Sequence, residues 1–121
     1  MKIYTSYFAN LKNIPDNIVP VSICGKAPDG YKGYQYKKVA PKWDFFKVYK
    51  ETGDEDYYIR NFNEKVLNVL DPNQVVRELS VYGDEIVLLC YEKPGDFCHR
   101  HLVAEWITKN TNLNVEEYEK V

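Results

Sequence analysis

Cysteine is scarce in this chain of 121 residues, and long apolar runs are missing from it. The three cysteines are an odd number and include no C-x-x-C pair, which argues against a disulfide framework. No apolar stretch approaches the roughly 20 residues of a membrane span. The opening residues contain no apolar signal-peptide core. We therefore expect a cytoplasmic protein with no membrane partner.

An excess of positive charge is also missing. The 16 Lys and Arg against 18 Asp and Glu give a net charge of −2, which argues against a globally basic nucleic-acid binder. The charge is uneven, however. Residues 26–50 hold seven lysines and two acids, a local charge of +5 that leaves −7 elsewhere, together with seven of the 18 aromatic residues. This segment is a candidate binding surface.

The order of the predicted elements favours an α/β fold. The chain length and a hydrophobic content of 45% predict one globular domain over residues 1–121. Strands are predicted at residues 2–8, 18–24 and 85–91, with a short last strand near 114–118, and helices at 43–49, 54–70, 72–83 and 97–110. The continuous apolar run Ile86–Cys90 is typical of a strand buried on both faces. We therefore expect a small, mainly parallel sheet flanked by helices, a three-layer Rossmann-like arrangement.

Ligands in such sheets bind beyond the carboxyl ends of the strands. Three segments are expected to meet there: Ser6–Phe8, Ser22–Gly25 and Cys90–Arg100. The candidate ligand-binding side chains at this edge are Thr5, Ser6, Ser22, Cys24 and Arg100.

The segment from Cys90 to His101 carries most of the functional information. It combines a strand end, a Pro94-Gly95 turn and a helix N-terminus with Asp96 as the expected N-cap. Free backbone N–H groups at such a terminus favour an anion, and the Arg100 fork suits a phosphate or carboxylate. Glu92 is a candidate general base, nucleophile or partner of Arg100.

Helical geometry separates the two histidines of this segment. His99 falls on the apolar face of the predicted helix and His101 on the opposite, solvent side. Of the two, His99 is therefore the better candidate for a positioned acid/base group or for a structural hydrogen bond, and the structural role is the commoner one for such a side chain. Cys98 lies beside cationic groups at the helix start, which favours a reactive thiol. Cys90 is interpreted as an inert buried thiol.

A metal site is the least favoured interpretation of these residues. Cys98 and His101 are three positions apart and can share an ion, with Cys24 or Cys90 completing the set. Because paired cysteines are missing, the predicted site contains no metal, and the cofactor stays open.

Residues 88–102, L-L-C-Y-E-K-P-G-D-F-C-H-R-H-L, resemble the signature of the DUF488 family of small bacterial, archaeal and phage proteins. That signature is an apolar strand, Cys-x-Glu, a turn and then Cys-His-Arg on a helix. The chain departs from it at residues 21–25, where many members carry Asp-x-Arg. The resemblance implies a fold and a site but no particular reaction.

Three functions remain open from the sequence. The favoured one is a small enzyme or sensor that binds a phosphate- or nucleotide-like anion, with Glu92, Cys98 and His99 as candidate catalytic residues. The second is a nucleic-acid- or protein-binding module that uses residues 26–50. In the third, the motif is a structural cluster in which Glu92 pairs with Arg100 and His99 bonds strand carbonyls.

Overall fold

A computed structural model describes residues 1–92 and 96–118. Its centre is a five-stranded sheet in which every described pairing is parallel. The strands are β1 (Lys2–Tyr7), β2 (Val19–Ser22), β3 (Tyr34–Gln35), β4 (Glu85–Cys90) and β5 (Glu116–Glu117). Their order across the sheet is β3-β2-β4-β1-β5. The predicted α/β fold with a small parallel sheet is confirmed.

The central position of β4 follows from its composition. Its five residues Ile86–Cys90 are at most 1% exposed, because β1 and β2 pair with its two edges and other chain segments cover its two faces. Leu88 lies in register with Thr5 of β1 and Val21 of β2. The first two strands of the chain are therefore separated in the sheet by the fourth.

The described residues also form four α-helices, three between β3 and β4 and one between β4 and β5. They are α1 (Trp43–Thr52), α2 (Glu55–Phe62), α3 (Pro72–Ser80) and α4 (His99–Asn110). Asp54 caps α2 through a bond from the Tyr57 amide, and Asp71 caps α3 through the Asn73 amide, ahead of Pro72 at the first helical position. The predicted Asp71-Pro72 start is confirmed, since these side chains satisfy amides that have no partner within the helix.

The predicted helix over 54–70 is shorter than expected. The α-helix ends at Phe62, and residues Asn63–Leu67 continue as a π-helical turn in which the Asn68 amide bonds the Asn63 carbonyl at 2.8 Å. The wider turn lets the consecutive side chains of Val66 and Leu67 both be buried. The apolar spacing of the sequence indicated one face and did not indicate this widening.

The excursion over 25–42 contributes to the sheet, which the sequence did not indicate. Tyr34 and Gln35 form the edge strand β3 beside β2, and a 3₁₀ turn follows at Lys37–Val39. The Tyr36 hydroxyl donates to the carboxylate of Glu78 on α3, so the excursion is held against the helices. Ion pairing of Glu78 with Lys38 at 3.0 Å adds to this attachment.

The two faces of the sheet are covered unequally. All four α-helices contribute to the larger core, through Phe45, Phe62, Leu79 and Ile107 among others. The other face carries Val87 and Leu89 and is covered by the 3₁₀ helix Phe8–Asn13 and by Ile14 and Ile18. The third layer of the predicted arrangement is therefore thin. Among the described residues, no helix combines the length and the apolar character that crossing a membrane requires.

Candidate functional site

The helix α4 begins at His99, two residues later than predicted. Cys98 is its N-cap and its side chain makes no capping hydrogen bond, while Asp96, the predicted cap, is exposed. Cys98, His99 and Arg100 are all buried. The helix start is therefore determined by burial of these three side chains, which outweighs the usual preference for an aspartate cap. The predicted Pro94-Gly95 turn lies outside the described residues.

The three cysteines lie in one buried cluster at the ends of β2 and β4 and the start of α4. Cys90 and Cys98 are paired as a disulfide, and Cys24 is a free thiol. The interpretation of Cys90 as an inert thiol is therefore wrong, and a single disulfide is present although the sequence argued against a framework. An odd number of cysteines excludes the pairing of all three, but it does not exclude one local disulfide between residues eight positions apart.

His99 points from the start of α4 toward the end of β2, as its helical position predicted. Its Nε2 lies 2.7 Å from the carbonyl oxygen of Ile23, so this nitrogen carries the proton and donates it. Burial lowers the pKa of His99 to about 4, although the bond to the carbonyl opposes this shift. The imidazole is thus neutral at pH 7. Its other nitrogen, Nδ1, lies 3.8 Å from the sulfur of Cys98.

Arg100 is fully buried and its hydrogen-bonding capacity is used within the protein. Nε and Nη2 bind the two carboxylate oxygens of Glu117 at 3.1 and 2.9 Å, and Thr5 donates to the same carboxylate at 2.7 Å. Nη1 donates to the backbone carbonyl of Glu92 and to the sulfur of Cys90, the latter at 3.2 Å. The alternative in which the Glu92 side chain pairs with Arg100 is therefore not what the structure shows. The partner is Glu117, which β5 places in register with Thr5.

The candidate hydroxyls divide between the faces of the sheet because side chains alternate along a strand. Thr5 faces the helices, with Arg100 and Glu117. Ser6 and Ser22 lie in register with Leu89 on the other face. There Ser6 accepts a bond from Asn10, and Ser22 lies 3.2 Å from the sulfur of Cys24. Four of the five predicted ligand-binding residues thus lie away from the pocket described next, and their roles remain predictions.

A pocket of about 580 Å³ opens at the carboxyl ends of β2 and β4. Cys90, Cys98 and His99, here called the cysteine–histidine cluster, line it together with Cys24 and Glu92. Most of the remaining wall is aromatic and comes from α1, α2 and the segments flanking α4: Trp43, Phe46, Tyr49, Tyr58, Tyr91 and Phe97. We call this site the aromatic pocket. It brings together Cys24, Glu92, Cys98 and His99 of the predicted set.

Among the described residues, two lysines and one glutamate supply the charge at the aromatic pocket. Lys26 follows β2, Lys50 belongs to α1, and Glu92 follows β4. The Lys26 backbone is held in place, since its carbonyl accepts bonds from the Tyr91 hydroxyl at 2.6 Å and the Cys24 thiol at 3.1 Å. Trp43 is 63% exposed and Tyr91 is 50% exposed, so two large aromatic side chains at this pocket are left open to solvent.

A second depression, here called the lysine groove, adjoins the aromatic pocket. The two share Gly25 and Pro41 as lining residues. The lysine groove has a volume of about 480 Å³ and is lined by Lys37, Lys38, Lys42 and Lys65 over an apolar base. Lys38 and Lys65 are paired with Glu78 and Asp44, whereas Lys37 and Lys42 make no ion pair with any residue that the structure describes.

Sequence reasoning missed two parts of this site. Glu117 lies in a two-residue strand near the chain end, and only its acidic neighbours and the short last strand gave any signal there. The aromatic wall comes from residues far apart in sequence, such as Tyr49, Tyr58 and Phe97, whose rings pack at 5.0–5.5 Å. The sequence showed that residues 26–50 are rich in aromatic residues, but it did not show that some of these rings line a pocket. The metal site considered from the sequence, in which His101 shares an ion with Cys98, is not formed in the structure, because His101 is exposed.

Residues 12–111 match the family model DUF488-N3a, described as the active DUF488-N3 subclade. A search of curated proteins and a search of solved structures each gave no match.

Proposed function

This chain belongs to the DUF488 family, and from that premise we propose that it binds a small nucleotide-like anion in the aromatic pocket. The observation that carries the proposal is the composition of that pocket: aromatic rings on its walls, two lysines beside them and the cysteine–histidine cluster as its floor. The description of the matched subclade as active favours a working site over a purely structural cluster.

The aromatic wall fits a flat ring. A base or similar heterocycle gains about 1–3 kcal/mol from stacking on an aromatic side chain. Trp43 and Tyr91 are the two exposed aromatics available for this. The volume of about 580 Å³ is within the usual range of small-molecule sites.

The charge of the pocket fits an anion. Among the described lining residues, Lys26 and Lys50 outnumber Glu92, and the backbone at the start of α4 adds the partial positive charge of a helix N-terminus. Arg100 is not among these groups, because Glu117 neutralises it inside the protein. The anion is therefore expected at the lysines, and the ring between Trp43 and Tyr91.

The chemistry at the floor favours a small enzyme over a passive binder. His99 is neutral and presents the Nδ1 lone pair toward Cys98, so in the reduced protein it can accept a hydrogen bond from the thiol and orient the sulfur at the pocket. Glu92 is exposed beside them and can exchange protons with a bound ligand. These roles of Cys98, His99 and Glu92 are part of the proposal.

The test is a calorimetric titration of the whole chain with the four ribonucleoside monophosphates. We expect at least one to bind, and Trp43→Leu and Lys50→Ala each to weaken it about tenfold, as loss of one stacking or charge contact implies. Lys47→Ala is the matched control, since it removes the same charge from the same helix outside the pocket. Absence of binding by all four, or equal effects of the two lysine variants, would overturn the proposal.

A second candidate is single-stranded nucleic acid, favoured by the lysine groove beside the aromatic pocket. There the base would enter the pocket and the following phosphates would contact Lys37 and Lys42. Fluorescence anisotropy with a short labelled oligonucleotide tests it. Salt-dependent binding that Lys37→Gln and Lys42→Gln together weaken, while mononucleotide affinity is unchanged, favours this candidate. Equal mononucleotide and oligonucleotide affinity contradicts it.

A further inference from the structure

We propose that the cysteine–histidine cluster, once its disulfide is reduced, binds a divalent metal ion, zinc by ligand chemistry, through the two sulfurs and Nδ1 of His99. This inference goes beyond ligand binding in the aromatic pocket and does not depend on it. It concerns what the same three side chains do in the reduced protein.

The three ligand atoms converge on one place, so that reduction need only separate the two sulfurs for them to surround one ion. The sulfurs of Cys90 and Cys98 and a ring nitrogen of His99 lie within 4.8 Å of one another, and all three residues are buried. Zinc binds sulfur at about 2.3 Å and nitrogen at about 2.0–2.1 Å, so its tetrahedral ligands lie about 3.3–3.9 Å apart. The 3.8 Å between Cys98 Sγ and His99 Nδ1 matches this spacing.

The backbone leaves room for the two sulfurs to separate. The Cα atoms of Cys90 and Cys98 are 7.4 Å apart, beyond the roughly 4.4–6.8 Å usual for a disulfide-bonded pair. After reduction the two thiolates can therefore lie on either side of an ion while β4 and α4 stay in place.

A second and independent observation is the orientation of the His99 ring. Its Nε2 donates to the Ile23 carbonyl at 2.7 Å, which turns Nδ1 toward the sulfurs. Histidines that bind metals almost always hold their other nitrogen against a carbonyl or carboxylate in this way. Arg100 supplies the corresponding support on the sulfur side, since its Nη1 donates to Cys90 Sγ at 3.2 Å. That donor stabilises a thiolate at the position a metal ligand needs.

The fourth position of the ion would face the aromatic pocket. Cys90, Cys98 and His99 all line that pocket, so the open side of the set is the side from which a ligand enters. Three protein ligands and one open position are the arrangement of catalytic zinc sites. Cys24 is not the fourth ligand, because its sulfur lies outside the set and is held by Ser22 and the Lys26 carbonyl.

Metal binding requires reduction, and the balance of the two steps is explicit. The Cys90–Cys98 bond takes up two electrons from a phosphine and two protons from water, whose oxygen ends in the phosphine oxide, and gives two thiols. The divalent ion then displaces both thiol protons and binds two thiolates and the neutral imidazole. The oxidised chain lacks both thiolates and therefore lacks the site.

The experiment is a titration of the full-length chain with Co²⁺, with and without prior reduction by a phosphine. For the reduced chain we expect one equivalent to bind, with the visible bands of tetrahedral cobalt and a thiolate-to-cobalt charge-transfer band, and zinc to displace it. Cys98→Ser and His99→Gln should each weaken binding by more than about 100-fold, because each removes a direct ligand. Cys24→Ser is the control and should bind as the wild type does.

Oxidised wild-type protein keeps the test independent of variants that fail to fold. It should show the same circular dichroism as the reduced protein and no cobalt bands. Cobalt bands in the oxidised chain, absence of bands in the folded reduced chain, or unchanged binding by a folded His99→Gln variant would each overturn the proposal. Loss of binding in Cys24→Ser would overturn the open fourth position. The nucleotide titration uses the oxidised chain, so the two proposals fail separately.

Discussion

The start of α4 separates two polar regions that the sequence presents as one motif. Arg100 turns inward, where Glu117 and two further acceptors, Cys90 Sγ and the Glu92 carbonyl, use its hydrogen-bonding groups. Thr5 donates to the same Glu117 carboxylate. His99, the preceding residue, turns to the aromatic pocket and keeps Nδ1 beside Cys98. A buried group whose partners are all inside the protein serves stability, while a group that keeps a free lone pair at a pocket is available for chemistry. Two adjacent residues of α4 thus differ in role: Arg100 stabilises the fold, and His99 is available for chemistry at the pocket.

The largest expected loss of stability follows from removing the buried Arg100. Arg100→Met leaves Glu117 partly buried without its cation and should lower the free energy of unfolding by about 3–5 kcal/mol. Urea denaturation measures this loss. Combining the change with Glu117→Leu should recover most of it, because the uncompensated carboxylate is then removed. If the single variant is as stable as the wild type, the ion pair is not structural.

Acid should lower the free energy of unfolding of the protein through protonation of His99. The pKa of His99 is about 4 in the folded protein against 6.5 for the free side chain, so the unfolded chain binds the extra proton first as pH falls. Stability is therefore full above pH 6.5 and falls by about 3 kcal/mol toward pH 4. Denaturation of the metal-free, oxidised chain at several pH values measures this. His99→Gln should lack that part of the slope, and parallel curves for the two proteins would contradict the assignment.

Removing the Thr5 hydroxyl should lower stability by less than removing Arg100 does. Thr5→Val removes the hydroxyl that donates to Glu117 but leaves both Arg100 bonds, so the expected loss is about 1 kcal/mol. Thermal or urea unfolding checks this value. Ser6→Ala, on the opposite face of the same strand, is the comparison variant, and a nucleotide titration of Thr5→Val should match the wild type. Weakened nucleotide binding would mean that the two regions are coupled.

The smallest expected effect on stability is at the pocket. Glu92 is exposed and only its backbone carbonyl contacts Arg100, so Glu92→Gln should change the free energy of unfolding by less than about 0.5 kcal/mol. The same change removes a negative charge beside Lys26 and Lys50 and should tighten binding of an anion several-fold. Calorimetry of this variant beside wild type tests both statements. Weaker anion binding would assign Glu92 a direct contact.

The sequence predicted the elements well where local chemistry determines them. The apolar run of β4 and the Asp71-Pro72 start of α3 were both visible, since strand burial and helix capping depend on neighbouring residues. The π turn at Asn63–Leu67 and the edge strand β3 were not, because both depend on contacts with distant segments.

For the site, the sequence located Cys98, His99 and Glu92 at one strand end, and the structure places them along one pocket. It could not give the partner of Arg100. Glu117 comes into reach only because β5 adds to the sheet edge next to Thr5, a pairing across 112 positions of the chain. The sequence also could not show which face of the sheet Thr5 and Ser6 each occupy, since the register that determines this is a property of the whole sheet.

The central position of β4 also determines when this protein can fold. β1 and β2 are consecutive in the chain but lie on opposite sides of β4, so neither finds its main partner until residue 90 has been synthesised. Parallel pairing between segments so distant in sequence is slow, because a long loop must close before any contact is formed. A nascent chain that ends before Glu85 carries β1 without either of its partners and β2 with only the two-residue strand β3 beside it. We therefore expect such a chain to stay unfolded, with apolar strand edges open to chaperones, until β4 is complete.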